Sequence, residues 1–315
     1  MNRPAELARR DPPVGLGAGR LSDEAERRLA RPKTAPLRPP PRHDTEAVAR
    51  WRESIHELWL AGDPTAEECG HAEATIGGVR CLVAEGPGDH APTIVYFHGG
   101  GFALGSPEVA LAITDRLRAW ANIVSVDYRL APEHPFPAAF TDATEVLEAL
   151  GMCRDDPRKT APRLVLAGDS AGAGLATAAC LQNPANVAAL VLFSPQLDLT
   201  TTTHRRIDDP SSDVDQRTAE WLRIAYCDGR APNDPQISPL HGKLAGLPPT
   251  LVQVGAIDSS LRQAIRFSRL AAVADASVTL DVWDGLWHTW HYHRELPEAD
   301  RALEEAGRFA KRYGR

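Results

Sequence analysis

Leu164-Val165-Leu166-Ala167-Gly168-Asp169-Ser170-Ala171-Gly172 is the stretch that decides the fold. Four apolar residues in succession, with no polar alternation, predict a strand covered on both faces of a sheet. The pentapeptide 168–172 then runs directly into a small-residue segment that predicts a helix. A strand, a sharp turn centred on serine and a helix form the context in which a G-x-S-x-G pentapeptide marks a nucleophile. Glycines two residues either side of Ser170 remove the Cβ atoms that would clash where strand and helix converge. The serine hydroxyl is then expected at the C-terminal edge of a parallel sheet, beside a helix N-terminus that favours developing negative charge. A glycine-rich turn around a buried serine, as in many nucleotide-binding folds, is the alternative that the pentapeptide alone leaves open.

Working outward, the chain alternates short β-rich runs with helical spacing from residue 72 onward. Ala72–Ile76 and Val79–Ala84 predict a strand pair turned at Gly77-Gly78. Further strands are expected at Thr93–Phe97, 123–126, 164–167, 189–193, 251–254 and 278–282. Helical spacing falls at 107–121, 141–150, 172–181, 261–274 and 298–313. Strands alternating with helices of this length predict crossover connections and a mostly parallel sheet, hence an α/β fold class. Residues 198–247 break the rhythm: they hold a helical stretch at 214–225 and no convincing strand, and an insertion this long between sheet strands is expected to be a lid. Residues 1–42 carry eight prolines and many arginines, and predict an arm or poorly ordered tail. Val48, Trp51, Ile55, Leu58 and Trp59 then build one apolar helical face, a second cap element. The expected organisation is an arm and cap helix over 1–70 and a catalytic domain over 71–315, with the cap insertion at about 198–247.

Composition narrows the class. The chain has 315 residues, 43% of them hydrophobic and 24% charged, ordinary for a globular protein and ample for a core without disulfides or structural metals. The formal net charge of −7 offers no global attraction to nucleic acid or anionic lipid. The five cysteines are scattered, odd in number and free of C-x-x-C spacing, which argues against a disulfide framework and a zinc site. The first residues contain no apolar signal region, and no apolar run reaches the length of a membrane span, so a cytoplasmic protein without a membrane span is expected.

A second motif, Tyr96-Phe97-His98-Gly99-Gly100-Gly101-Phe102, closes an earlier strand. Three successive glycines let backbone N–H groups turn inward together, as acyl transfer requires at a tetrahedral oxyanion. The expected donors are Gly100 and Gly101, with the N–H of Ala171 after the nucleophile; Gly99 belongs to the same oxyanion segment, where it donates or permits the turn. With these residues the sequence resembles an α/β-hydrolase of the hormone-sensitive lipase type, the bacterial esterase and acetyl-hydrolase group. Residues 98–102 match its H-G-G-G-F motif and residues 168–172 its G-D-S-A-G elbow. Residues 127–139, from Asp127-Tyr128-Arg129-Leu130-Ala131-Pro132-Glu133 onward, match its D-Y-R-L-A-P-E-x-P-F-P-A-A segment. Read from its residues, that segment is a proline-locked loop whose charged members brace the floor of the site. Asp169 is expected to turn away from the serine and hydrogen-bond neighbouring backbone.

A serine needs a histidine to take its proton and a carboxylate to orient that histidine. His204, His241, His288, His291 and His293 follow Ser170. Trp283-Asp284-Gly285-Leu286-Trp287-His288-Thr289-Trp290 directly follows the last predicted strand and resembles the family's W-P-G-x-x-H-x-W segment, which points to His288. His291 and His293 are expected to be surface histidines. Asp258 is the only carboxylate on the loop after the strand at 251–254, and lies 30 residues before His288. Where many family members read D-P-L-x-D, this chain reads Asp258-Ser259-Ser260-Leu261-Arg262, without the second acid. Asp281 and Asp284 are the fallback acids.

The resemblance implies a serine hydrolase cleaving carboxylic or acetyl esters of small molecules through Ser170, Asp258 and His288, with no metal and no cofactor. Acyl transfer, lactonisation or cyclisation on the same triad is the alternative. A non-catalytic ligand-binding relative is disfavoured by the presence of all three residues. Trp51, Ile55, Trp59, Trp221 and Leu222 either line a substrate pocket or pack on one another, and Arg205, Arg206 and Arg223 face either a polar substrate or solvent. The expected partner is a small acyl substrate, with no nucleic acid; a homodimer is left open.

Overall fold

The computed structural model describes residues 16–17, 21–30, 38–61, 64–88, 90–151, 164–200 and 214–314. In chain order these carry β1 (Leu16–Gly17), α1 (Asp23–Leu29), α2 (Thr45–Leu60), β2 (Ala72–Ile76), β3 (Val79–Ala84), β4 (Thr93–Phe97) and α3 (Leu111–Leu117). There follow β5 (Asn122–Val126), α4 (Ala138–Ala149), β6 (Leu164–Asp169), α5 (Ser170–Gln182), β7 (Val187–Phe193) and α6 (Gln216–Cys227). The chain closes with β8 (Thr250–Gly255), α7 (Leu261–Val273), β9 (Val278–Trp283) and α8 (Pro297–Tyr313).

Among the described residues the strands form one nine-stranded sheet in the order β1-β9-β8-β7-β6-β4-β5-β3-β2. Only the β2–β3 and β3–β5 pairs are antiparallel; the others run parallel. The central strands β6, β7 and β8 are buried along their whole length, which explains their unbroken apolar runs. Side chains alternate between two layers. Val95, Phe97, Leu166, Leu190, Leu192 and Val252 meet Ala143, Leu147, Leu175, Ala179 and Phe267 of α4, α5 and α7. Ile94, Tyr96, Val165, Ala167 and Val191 meet Ile113, Leu117, Leu303 and Ala306 of α3 and α8 on the opposite face. This is the α/β-hydrolase architecture: a mostly parallel sheet with helices on both faces. It aligns the C-terminal ends of β4, β6, β7, β8 and β9 along one edge, where their following loops converge.

Two regions differ from what composition suggested. The helical spacing over 107–121 yields only the shorter α3, with turns before and after it. Within the Pro-rich arm, Ser22 caps α1 by accepting the Ala25 N–H at 3.2 Å, and Asp23, Glu24 and Glu26 complement the helix dipole. Ala25 is buried against Trp283, Leu286, Trp287, Trp290 and Leu296, and the Ser22 N–H and hydroxyl donate to Glu298 at 2.7 and 2.8 Å. This part of the arm therefore docks on the loop that follows β9. In the 198–247 insertion, residues 201–213 lie outside the described residues; α6 and a single turn of 3-10 helix at Pro239–His241 occupy the remainder. No helix of the described residues is long and apolar enough to cross a membrane.

Candidate active site

Ser170 directly follows β6 and begins α5 with φ of 49°, a left-handed conformation that a serine adopts only when its surroundings enforce it. The enforcement is close packing. A Cβ at Gly172 would lie 2.0 Å from the Phe97 carbonyl oxygen, so only glycine lets the first turn of α5 abut the end of β4. The Ser170 hydroxyl is 3.0 Å from His288 Nε2, and His288 Nδ1 is 3.0 Å from Asp258 Oδ1. The structure thus brings together the three residues singled out from three separate loops.

The Asp258 side chain is fully buried. Burial alone would push its carboxyl up. The facing His288 charge, and hydrogen bonds from His288 and the Ser260 N–H, outweigh burial and hold it below the usual carboxylate range. The Ser260 bond is 2.7 Å. Ser194, at the end of β7, was not singled out from sequence. Its Oγ accepts the Thr289 N–H at 2.9 Å and so steadies the residue after His288. No motif surrounds it; it is recognisable only as the residue that leaves a buried strand toward the shared edge.

The fallback acids lie elsewhere. Asp281 accepts the Trp283 indole N–H at 2.7 Å, and Asp284 is exposed. His241 is 3.2 Å from Asp198, and His204 lies outside the described residues. His291, expected at the surface, is instead fully buried between the rings of Phe193 and Trp290. Burial, and then the nearby Arg116 charge, push its pKa well below the ordinary histidine value. The backbone turn after His288 aims residue 291 inward, which a polar-looking loop sequence does not reveal. His293 is half-buried beside Trp287.

Asp169 turns away from the serine, and its Oδ1 accepts three hydrogen bonds: Tyr96 OH at 2.8 Å, Gly99 N–H at 2.9 Å and Tyr292 OH at 3.0 Å. It joins the elbow to the glycine loop and to the loop that follows His288. Burial raises its pKa to about 6 against the pull of these donors. The Gly99 bond corrects an expectation: with its N–H committed to Asp169, Gly99 is not a free oxyanion donor and shapes the turn instead. No acceptor among the described residues takes the N–H of Gly100 or Gly101. Gly100 has φ of +113°, and its carbonyl accepts the N–H groups of Ala103 and Leu104 at 3.2 and 2.9 Å. Ala171 is the second residue of α5, so its N–H has no carbonyl within the helix to pair with.

Residues 127–133 brace this loop from below. Tyr128 donates its hydroxyl to the His98 carbonyl at 2.7 Å and stacks on the His98 ring at 4.2 Å. Arg129 pairs with Asp142, and Asp127 with Arg80. Above, the cap packs on itself: Trp51 of α2 and Trp221 of α6 meet edge-to-face at 5.3 Å, and Trp221 donates to the Pro40 carbonyl. Leu222 lies over Gly101, while Arg223 pairs with Glu220; Arg205 and Arg206 lie outside the described residues.

Comparison with known proteins matches this geometry to a family. A family profile described as the α/β hydrolase fold matches residues 94–292. An acetyl-hydrolase of Streptomyces hygroscopicus is 39% identical over 228 residues, 70% of this chain and 75% of the relative. An esterase of Acinetobacter venetianus is 34% identical over 245 residues, 75% of this chain and 80% of its own. The crystal structure of EstE7, a hormone-sensitive-lipase homologue from a metagenome library, superposes with a TM-score of 0.75 at 32% identity, covering 84% of this chain and 92% of its own. Taken with the fold, these matches show that the chain belongs to the α/β hydrolases of the hormone-sensitive lipase type, a family of ester-cleaving enzymes.

Proposed function

We propose that the protein hydrolyses carboxylic esters of small molecules, acetyl esters among them, through a covalent acyl-enzyme on Ser170. The observation that carries this reading is the continuous relay Ser170–His288–Asp258, with 3.0 Å at each step. His288 Nε2 takes the hydroxyl proton as Oγ attacks the ester carbonyl, and Asp258 stabilises the imidazolium that forms. The N–H groups of Gly100, Gly101 and Ala171 receive the oxyanion. His288 then gives its proton to the departing alcohol, the C–O bond breaks, and the acyl group remains on Oγ. A water molecule then gives a proton to His288 and attacks that acyl carbon; the bond to Oγ breaks, His288 returns the proton to Oγ, and the acid leaves. The acetyl-hydrolase and esterase relatives support the substrate class.

The test pairs kinetics with labelling. Hydrolysis of an activated acetate ester should show a burst equal to the enzyme concentration, and an organophosphonate should leave one adduct on the peptide holding Ser170. Both should vanish in Ser170→Ala. Turnover surviving that substitution, or labelling at another residue of the folded protein, removes the proposal.

A further inference from the structure

We infer that Arg52 and His56 of α2 are positioning residues for the glycine loop, making α2 a fixed clasp on residues 100–105 and not a lid that lifts to admit substrate. The inference rests on the serine-esterase reading, because it concerns the donors proposed to receive the oxyanion.

Arg52 and His56 lie four residues apart and so share one face of α2. Arg52 Nε donates to the Ala103 carbonyl at 2.8 Å, and Nη2 to the Ala131 carbonyl at 3.1 Å. Its remaining donors close a two-pronged pair with Glu133 at 3.1 and 2.8 Å. One guanidinium thereby joins the glycine loop to the loop that braces it from below, a task its planar fork suits. One turn further on, His56 Nε2 accepts the Gly105 N–H at 3.0 Å. That acceptor role needs a neutral ring. Burial and the neighbouring Arg52 charge lower the His56 pKa, against an opposing pull from Glu108.

The two contacts bracket a short turn. Between Ala103 and Gly105 the Ala103 and Leu104 N–H groups both return to the single carbonyl of Gly100, while Phe102 stacks on Tyr226 and Gly105 packs against Gly99 and His98. The two Gly100 carbonyl bonds couple the peptide groups at Gly100 and Gly101 to residues 103–105, and α2 adds a polar contact at each end of that segment. The helix also packs within the cap. Val48 and Ile55 are buried, and Trp51 packs on Trp221, which is tied to Pro40. What holds this cap helix to the catalytic domain is the set of Arg52 and His56 bonds, and lifting it as a lid would break all of them.

Steady-state kinetics on the full chain test this, with p-nitrophenyl acetate and p-nitrophenyl butyrate as substrates and folding checked by circular dichroism. A sub-ångström to 1 Å misplacement of oxyanion donors costs about 10- to 100-fold. His56→Leu and Arg52→Met should therefore lower kcat by about that factor on both esters, with KM within about twofold, and should slow organophosphonate inactivation in parallel. His56→Gln, whose side-chain oxygen can accept the Gly105 N–H, should recover most of the lost kcat. A rise in KM alone, differing between the two acyl chains, would make α2 a substrate-pocket wall and overturn the inference; so would unchanged kinetics. If His56→Leu does not fold, Arg52→Lys decides: lysine cannot reach both carbonyls and Glu133 together, so kcat should fall at constant KM, and a full kcat overturns the clasp. Ser170→Ala in parallel separates the two readings. Turnover surviving it removes the serine mechanism, whereas its loss beside unaffected clasp variants removes only the clasp.

Discussion

Replacing Asp258 with asparagine preserves shape and removes charge, so it isolates what the carboxylate does. Asp258 Oδ1 faces two donors at once, His288 Nδ1 at 3.0 Å and the Ser260 N–H at 2.7 Å. An asparagine that keeps its oxygen there places its amide nitrogen where the second carboxylate oxygen was, and leaves the imidazolium formed during catalysis without a negative partner. The flipped asparagine is worse. Its amide would oppose the Ser260 N–H and donate to His288 Nδ1, putting the ring proton on Nε2, where it can no longer accept from Ser170. The site is fully buried at Asp258, so water cannot substitute for either loss. In triad enzymes of this kind the analogous change costs about four orders of magnitude in kcat, roughly 5 kcal/mol of transition-state stabilisation. The expected result is that Asp258→Asn keeps its near-native melting temperature and loses about 10⁴-fold in kcat on an activated ester. Asp284→Asn and Asp281→Asn should stay within a few-fold, because Asp284 is exposed and Asp281 is bonded to Trp283. A near-normal Asp258→Asn enzyme beside a crippled Asp284→Asn or Asp281→Asn enzyme would refute the assignment.

Three further outcomes follow from the geometry. Asp169, its pKa raised to about 6, binds its proton more tightly in the folded than in the unfolded chain, so its contribution to stability grows as pH falls through that value and levels off below about 4. Urea unfolding should therefore show wild type gaining on Asp169→Asn between pH 8 and pH 5, and an equal difference at both would contradict burial as the main cause. Glu298→Ala leaves the Ser22 N–H and hydroxyl without their acceptor, and should cost about 1–3 kcal/mol by thermal or urea unfolding while sparing kcat. Removing residues 1–30 uncovers Trp287 and Leu286 beneath Ala25, and should lower the melting temperature more than Glu298→Ala does; an unchanged melting temperature would mean that the docked helix contributes nothing.

What the chain discloses about itself divides along a physical line. The strand–elbow–helix unit is legible because its causes are local: an apolar run, glycines where backbones converge, and a small-residue helix. Asp258 and His288 are legible one step further, since each leads off the end of a recognisable strand and parallel topology delivers such loops to a common edge. Gly99 is different. Its N–H looks equivalent to those of its two neighbours until Asp169 takes it, and that pairing depends on β4 lying beside β6. His291 differs from its surface expectation for the same reason, because its burial follows from a turn that carries no periodic signal and from Phe193 on a distant strand. The short helix at Asp23–Leu29 is hidden by its proline-rich flanks and buries a single alanine, too little to register as an amphipathic face. The helix at Thr45–Leu60 shows the division most sharply. Its apolar stripe declares both the helix and the face that packs, but Arg52 and His56 read as ordinary polar positions until their partners at Ala103, Ala131, Glu133 and Gly105 are known. Apolar periodicity reports where an element must be covered. Polar side chains take their function from whichever backbone groups the fold leaves without partners, and those groups are defined only once the loops have met.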